Sequence, residues 1–318
     1  MEMLNSIFIA PFMDMGSDWS FLIQVLWEGF VQGTLYALIA LGFVLIFKAS
    51  GVFNFAQGIM VVLAVLVLVG LYELGVPAWL SLILTIGFMG LLAVGIERIV
   101  LRPLVNQHDA ILLMATIGLA RFLIGAGQFI FGGENRAMIT EEIGLPVGAS
   151  EAEMFEGVVF FEHLDISAVV IAALMVTALA IFFNKTRIGR ALRAVADDHQ
   201  AALSVGISLN QIWAIVWFAA GIVALVTGIM WGARSDVSFA LEIIALKALA
   251  VLIIGGFTSI PGAIIAGIIV GVLEKIFAIF WGPLFGGGVE AWFAYLLALI
   301  FLLFRPQGLF GEKIIERI

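Results

Sequence analysis

The sequence predicts an all-α fold, a polytopic bundle of transmembrane helices, and three observations lead to it. Of the 318 residues, 63% are hydrophobic and only 12% are charged, whereas ordinary soluble domains carry about 25% charged residues. The mean hydropathy is +1.19, and the apolar residues gather in nine long runs. Because backbone groups that face lipid must be satisfied within their own segment, such runs predict helices.

The nine runs predict about eight to nine spans, including short or broken helices, in a single transmembrane domain over residues 1–318. A full span needs about 20 residues. Six runs have that length: 20–47, 78–97, 110–131, 166–183, 211–231 and 262–281. The runs 56–71, 242–256 and 290–304 fall short and could be half-helices.

Lys and Arg in the short loops predict the orientation, because cytoplasmic loops carry the excess of these residues. With the N-terminus outside, ten fall on one side and two on the other. The ten are Lys48, Arg98, Arg102, Lys185, Arg187, Arg190, Arg193, Arg305, Lys313 and Arg317, and the two are Arg136 and Arg234. The sequence therefore predicts a multi-pass protein of an inner or plasma membrane with a cytoplasmic C-terminus.

The external loop at about 132–165 is strongly acidic, and Arg136 is its only Lys or Arg. Its acidic residues are Glu134, Glu141, Glu142, Glu151, Glu153, Glu156, Glu162 and Asp165. Two interpretations stay open, namely a solvated acidic loop and a docking surface for an external partner.

The cytoplasmic segment at about 184–210 is the most informative polar stretch. Good helix formers without proline predict a short amphipathic helix over Ile188–Val205. Gly206 should end it, since glycine readily adopts the left-handed conformation that follows a helix. The helix could lie on lipid headgroups or dock into a cytoplasmic partner, and spacing alone leaves both possibilities open.

Charged residues within the apolar runs are the next signal: Glu28, Arg121, Lys247, Glu274 and Lys275. Because a central charge costs about 2.5–3.5 kcal/mol in a membrane, such residues usually pair or line a cavity. We expect Lys247 and Glu274 to pair, either to set helix register or to contact substrate.

Two breaks in the apolar pattern, 48–57 and 255–263, occur in opposite halves of the chain. Paired interruptions can mark inverted repeats around a substrate path, and ordinary surface loops would give the same pattern.

Enzymatic chemistry is not expected from this sequence. The chain has no cysteine and only three scattered histidines, and it contains no metalloprotease, Walker A or nucleophile-elbow motif. We therefore expect no metal and no cofactor. The sequence contains no basic patch with interleaved aromatic residues, so nucleic-acid binding is not expected.

Several short motifs, taken in order, cover nearly the whole chain. They are Tyr36–Gly42, Phe53–Gly58, Glu97–Arg98, Leu101–Leu104, Arg187–Ala194 with Asp198, Ala201, Ala202 and Gly206–Ile207, then Lys247–Ala248, Gly255–Gly256, Ser259–Ala263, Glu274 and Arg305–Gly311. Together they resemble the permease subunit of bacterial ABC importers for branched-chain amino acids, of the LivH kind. Gln57 stands where a His is commoner in that family, and Gln200 stands where such importers place a Glu.

The resemblance implies an inner-membrane importer subunit that works with a second homologous permease subunit, two cytoplasmic ATPases and a periplasmic solute-binding protein. ATP hydrolysis would reside in the partners, so this chain would not be an enzyme. The implied ATPase-coupling residues are Arg187, Gly189, Arg190, Arg193, Asp197, Asp198, Ala201, Ala202 and Gly206. The expected translocation-pathway residues are Tyr36, Asn54, Gln57, Thr116, Lys247, Ser259 and Glu274. A self-sufficient secondary carrier or channel is the alternative.

Overall fold

The computed structural model describes residues 10–51, 53–104, 107–155, 157–197 and 199–311, and it is a helical bundle. Its helices are α1 (Ala10–Ser17), α2 (Trp19–Ser50), α3 (Gln57–Glu73), α4 (Ala78–Gly95), α5 (Asp109–Phe131), α6 (His163–Lys185), α7 (Arg187–Asp197), α8 (His199–Ser204), α9 (Leu209–Ser235), α10 (Leu241–Gly255), α11 (Ile260–Phe280) and α12 (Phe293–Phe304). A π-helical turn, Ile96–Leu101, and a 3₁₀ turn, Arg102–Leu104, extend α4. Two further 3₁₀ turns, Gly282–Phe285 and Val289–Ala291, precede α12.

The predicted all-α bundle is confirmed, but the predicted count of eight to nine spans is wrong. All nine apolar runs form helices, yet among the described residues only six helical stretches are long and apolar enough to cross a membrane. The α4 helix with its π and 3₁₀ extensions forms one of the six, Ala78–Leu104. The three runs already marked as short, now α3, α10 and α12, have 17, 15 and 12 residues.

The chain divides into two compact units, comprising Met1–Ala37, Leu145–Val170 and Lys247–Ile318 in the first, and Leu38–Gly144 and Ile171–Leu246 in the second. The expectation of one permease domain over 1–318 stays a prediction.

In the second unit, α3 packs against α4, α5 and α9. Every residue of α3 from Gln57 to Gly70 is buried. A Cβ atom on Gly228 of α9 would lie only 2.6 Å from the Val61 carbonyl oxygen, so the α3–α9 contact requires glycine there. The short α3 is therefore covered by protein over most of its length.

In the first unit, part of the acidic loop forms a β-hairpin instead of a wholly irregular loop. Strands β1 (Ala149–Met154) and β2 (Gly157–Glu162) pair antiparallel, with Ala149 opposite Glu162. The hairpin packs on the start of α2, where the Phe160 amide donates to Gln24 Oε1 at 2.9 Å and the rings of Phe161 and Trp27 lie 5.3 Å apart. Glu151 and Glu153 remain exposed on β1.

The start of α2 is capped by Asp18. Its Oδ1 accepts hydrogen bonds from Ser20 Oγ at 2.6 Å and from the Phe21 amide at 3.0 Å. The bond from Ser20, followed by that from the Phe21 amide, holds the pKa of the Asp18 carboxyl below its ordinary value. An aspartate at this position satisfies amide groups that have no partner within the helix, so it sets where α2 begins.

Candidate functional site

The expected pathway residues fall into two groups, one in each compact unit. Tyr36, Lys247, Ser259 and Glu274 belong to the first unit, whereas Asn54, Gln57 and Thr116 belong to the second. Within the first unit, the structure brings together three of the four expected residues.

Glu274 is the centre of a buried polar cluster in the first unit. Its Oε1 accepts from Lys247 Nζ at 2.8 Å, from the Tyr36 hydroxyl at 3.0 Å and from Gln32 Nε2 at 3.0 Å. Glu274 and Tyr36 are 0% and 1% exposed, and Lys247 is 8% exposed. The expected pairing of Lys247 with Glu274 is therefore present in the structure, and its function stays a prediction.

Gln32 is the member of this cluster that the sequence analysis missed. Besides its bond to Glu274, its Nε2 donates to the Tyr36 hydroxyl at 2.8 Å, and that hydroxyl also accepts from Lys247 Nζ at 3.2 Å. The signal was available, because Gln32 and Tyr36 are four residues apart and so share one helix face. We name Gln32, Tyr36, Lys247 and Glu274 the Glu274 cluster.

A close crossing of α2 and α11 positions this cluster. A Cβ atom on Gly33 would lie 2.5 Å from the Gly267 carbonyl oxygen, and one on Gly271 would lie 2.6 Å from the Gly29 carbonyl oxygen. Paired glycines four residues apart let two backbones approach closely in a membrane. Tyr36 and Glu274 each follow a crossing glycine by three residues, and helical side chains lean towards the N-terminus of their own helix. Both side chains can therefore reach back towards the crossing.

The other charges within the apolar runs also have partners. Lys275 Nζ lies 3.0 Å from Glu28 Oε2, and Arg121 Nη1 lies 4.0 Å from Glu242 Oε1. Both of these pairs are more exposed to solvent than the Lys247–Glu274 pair. The Glu274 cluster is therefore the most desolvated of the three.

The expected pathway residue Ser259 lies at a helix start in the first unit. Its Oγ accepts from the Gly262 amide at 3.0 Å and caps α11. The preceding turn is tight, since a Cβ atom on Gly255 would lie 2.5 Å from the Gly262 backbone. The C-terminal segment bonds to the end of α10, where the Leu309 amide donates to the Ile254 carbonyl at 2.7 Å. The Arg305–Gly311 motif thus holds this turn through Leu309.

The three expected pathway residues of the second unit are buried and surround the break between α2 and α3. Asn54 Oδ1 accepts from the Ala56 amide at 3.0 Å, and Thr116 Oγ1 lies 3.2 Å from the Phe53 carbonyl oxygen. Gln57 Nε2 lies 3.4 Å from the Ala220 carbonyl oxygen. These contacts hold the break in a defined conformation, so each side chain has a structural role whatever it does in transport.

The expected coupling segment forms a sharp corner between α6 and α7 in the second unit. Thr186 Oγ1 accepts from the Gly189 amide at 2.9 Å, and the Arg193 guanidinium donates to the Phe183 carbonyl and, at 3.3 Å, to Asn184 Oδ1. A Cβ atom on Gly189 would lie 2.6 Å from the Phe183 carbonyl carbon. Gly189 and Arg193 therefore attach α7 to the end of α6.

The two faces of α7 differ in the way the sequence predicts. Leu192 and Val195 are 0% exposed, whereas Arg187 and Arg190 are exposed. The helices α7 and α8 cover the predicted helix over 188–205 on either side of Asp198, which lies outside the described residues. The side chains of Asp197 and Ala201 are likewise outside the described part.

The predicted end of this helix at Gly206 is confirmed. Gly206 has a φ of +85°. Its amide donates to the Leu203 carbonyl at 3.0 Å, and the Ile207 amide donates to the Ala202 carbonyl at 3.0 Å. This pair of bonds is the Schellman motif, and Ala202 is buried beneath it.

The fold defines the class of the protein, a multi-pass helical membrane protein, because six helical stretches in the described part of the chain are long and apolar enough to cross a membrane. Residues 25–305 match the family model described as "Branched-chain amino acid transport system / permease component". The chain belongs to this family of transport permeases, whose members are not enzymes.

Relatives that align with almost the whole chain have names that describe the same kind of transport permease. The chain is 28% identical to the high-affinity branched-chain amino acid transport system permease protein BraD of Pseudomonas aeruginosa, over 93% of this chain and 98% of that protein. It is also 28% identical to the corresponding protein LivH of Salmonella typhimurium, over 96% of this chain and 100% of that protein. The probable branched-chain amino acid transport permease protein LivH of Methanocaldococcus jannaschii is 26% identical, over 91% of this chain and 92% of that protein.

Among solved structures, PsaBC from Streptococcus pneumoniae in complex with Fab is similar at a TM-score of 0.48 and 16% identity, over 94% of this chain and 96% of that one.

Proposed function

We propose that this chain is the permease subunit of an ATP-driven importer for branched-chain amino acids or related small polar solutes. The single observation that carries the proposal is the α6–α7 corner, where Gly189 and Arg193 attach an amphipathic helix with exposed Arg187 and Arg190 to a membrane helix. The relatives' names describe high-affinity branched-chain amino acid transport permeases. These names support the substrate class.

In this proposal α7 and α8 bind in a groove of one of the two cytoplasmic ATPases, and closure of the ATPase pair on ATP displaces these helices. The displacement reaches the membrane because Thr186, Gly189 and Arg193 join α7 to the last turn of α6. This chain and a second homologous permease subunit then alternate between outward-open and inward-open packings, a two-state change of a packed bundle. Such a subunit needs no nucleotide site of its own.

The remaining partners follow from the same assignment. A periplasmic solute-binding protein delivers substrate on the side that carries the β1–β2 hairpin, whose Glu151 and Glu153 are exposed. The coupling segment and the C-terminus lie in the cytoplasm of a bacterium, on the side with the excess of Lys and Arg. Membrane lipid surrounds the long apolar helices, and no nucleic acid takes part.

Co-purification tests the proposal directly. We expect the tagged wild-type chain, expressed together with the other subunits of the proposed importer, to retain both ATPase subunits in detergent. Arg190→Glu should reduce the ATPase yield at least fivefold, because it reverses a charge on the exposed face of α7. Arg98→Glu is the matched control, since Arg98 is also exposed on the predicted cytoplasmic side but lies outside the coupling segment.

The outcomes separate an importer from a self-sufficient carrier. Proteoliposomes with the complete complex should accumulate L-leucine only when the binding protein and ATP are present. Uptake by this chain alone without ATP, or equal ATPase yields for wild type and Arg190→Glu, would contradict the proposal.

A further inference from the structure

The Glu274 cluster has hydrogen-bonding capacity that the described part of the chain does not use. Three donors converge on Glu274 Oε1, while Oε2 is buried and meets no donor among the described residues. An unpaired buried carboxylate oxygen is costly. Within those same residues, Lys247 Nζ makes two hydrogen bonds, to Tyr36 and Glu274, although an ammonium group carries three donors. One acceptor and one donor of opposite charge thus remain.

We propose that the Glu274 cluster is a substrate site that recognises the zwitterionic headgroup of an α-amino acid. In this site Glu274 Oε2 accepts from the ligand's α-ammonium group, and Lys247 donates its remaining proton to the ligand's α-carboxylate. The inference rests on the proposed import function and deepens it, because it assigns named residues to the part of the substrate that all α-amino acids share.

Charge balance favours a zwitterion over an acid or an amine. Lys247 and Glu274 form a pair of opposite charges at 2.8 Å, so the cluster is neutral before binding when both are ionised. A zwitterion also has no net charge and adds one opposite charge to each member of the pair. A carboxylic acid or an amine alone would bring an uncompensated charge into a desolvated site, and such charges are expensive inside a membrane.

Tyr36 and Gln32 act as positioning residues in this arrangement. Both donate to Glu274 Oε1 and hold the carboxylate in one orientation, which keeps Oε2 available for the ligand. The Lys247 side chain is 11% exposed, whereas that of Glu274 is fully buried. A ligand therefore meets Lys247 first through its carboxylate, and its ammonium group then reaches Glu274.

Binding to the wild-type full-length chain in lipid nanodiscs tests the site without the solute-binding protein, which would otherwise impose its own selectivity. The probes are L-leucine, 4-methylpentanoate, which lacks the ammonium group, and 3-methylbutylamine, which lacks the carboxylate. Since a charge-assisted bond is lost in each analogue, we expect each to bind at least about tenfold more weakly than L-leucine. Equal affinities for the three probes, or no binding of L-leucine, would overturn the proposal.

The variant Glu274→Gln supplies a second test, in which the affinities for L-leucine and for 4-methylpentanoate should change differently. It keeps the shape of the side chain but removes the charge that attracts an ammonium group. We expect it to lose at least about tenfold in L-leucine affinity while the affinity for 4-methylpentanoate is maintained or rises. A purely structural role would instead weaken both probes alike, and that result would count against the proposal.

Glu28→Gln is the matched control, because it neutralises the carboxylate of the neighbouring Glu28–Lys275 pair on the same two helices, α2 and α11. It should leave the discrimination between L-leucine and 4-methylpentanoate unchanged. If Glu274→Gln does not fold, the comparison of the three probes on the wild type still decides. ATPase co-purification is measured separately, so failure of this inference is distinguishable from failure of the importer assignment.

Discussion

At the scale of single residues, the side chain of Gln57 occupies the space directly beside Gly42. A Cβ atom on Gly42 would lie 2.9 Å from Gln57 Cδ, and Gln57 is 0% exposed. Gln57 was expected to line the translocation pathway, and its contact with Gly42 could not be predicted because the two residues belong to separate motifs. A buried side chain that is packed this tightly has little room to move when a neighbouring residue is replaced by a larger one.

The variant Gly42→Ala should therefore destabilise the protein by about 1–3 kcal/mol through overpacking. The double variant Gly42→Ala/Gln57→Ala should recover much of that loss, because the shorter side chain vacates the space. Thermal unfolding in detergent measures both. Gly87→Ala is the control, since a Cβ atom added at Gly87 would have nothing within 4 Å of it. If the effects of the two substitutions on stability were strictly additive, that result would contradict a direct contact between Gly42 and Gln57.

At the scale of elements, the apolar runs predicted every long helix, whereas the hairpin was missed. The run Gly157–Glu162 contains consecutive β-branched and aromatic residues, which are typical of strands. The surrounding glutamates made the whole loop resemble a solvated segment. Its strand pairing depends on packing against α2, through Gln24 and Trp27, and composition does not report that contact.

The crossing of α2 and α11 gives the prediction at this scale. Gly271→Ala should lower the free energy of unfolding by about 1–3 kcal/mol and weaken L-leucine binding, because the added methyl group meets the backbone of Gly29 and Gly33. Gly118→Ala in α5 should be neutral or slightly stabilising, since its Cβ position is open and alanine favours helix by about 1 kcal/mol. Equal thermal midpoints for the two variants would show that the crossing tolerates separation.

At the scale of the whole molecule, orientation in the membrane is the property that most directly constrains function. The excess of Lys and Arg predicts that the coupling segment lies inside and the hairpin outside. The natural absence of cysteine makes single-cysteine labelling clean. Glu153 in β1 and Val205 after α8 are both exposed, Val205 at 80%.

We expect Glu153→Cys to react with a membrane-impermeant maleimide added to intact spheroplasts. Val205→Cys should react only after the membrane is permeabilised, because its segment is predicted to face the cytoplasm. The cysteine-free wild type is the control for background labelling. Labelling of Val205→Cys in intact spheroplasts would reverse the orientation and exclude docking of a cytoplasmic ATPase at α7.

The sequence by itself determined the membrane class, the helical nature of each apolar run and the left-handed end at Gly206, because hydropathy and glycine conformation are local properties. Only the tertiary structure decided which apolar helices are covered by protein, as α3 is, and that Gln32 joins Tyr36, Lys247 and Glu274. Both depend on contacts between residues far apart in the sequence, such as Gly228 with Val61 and Gln32 with Glu274. The second contact follows from the close approach of α2 and α11, which no local pattern encodes.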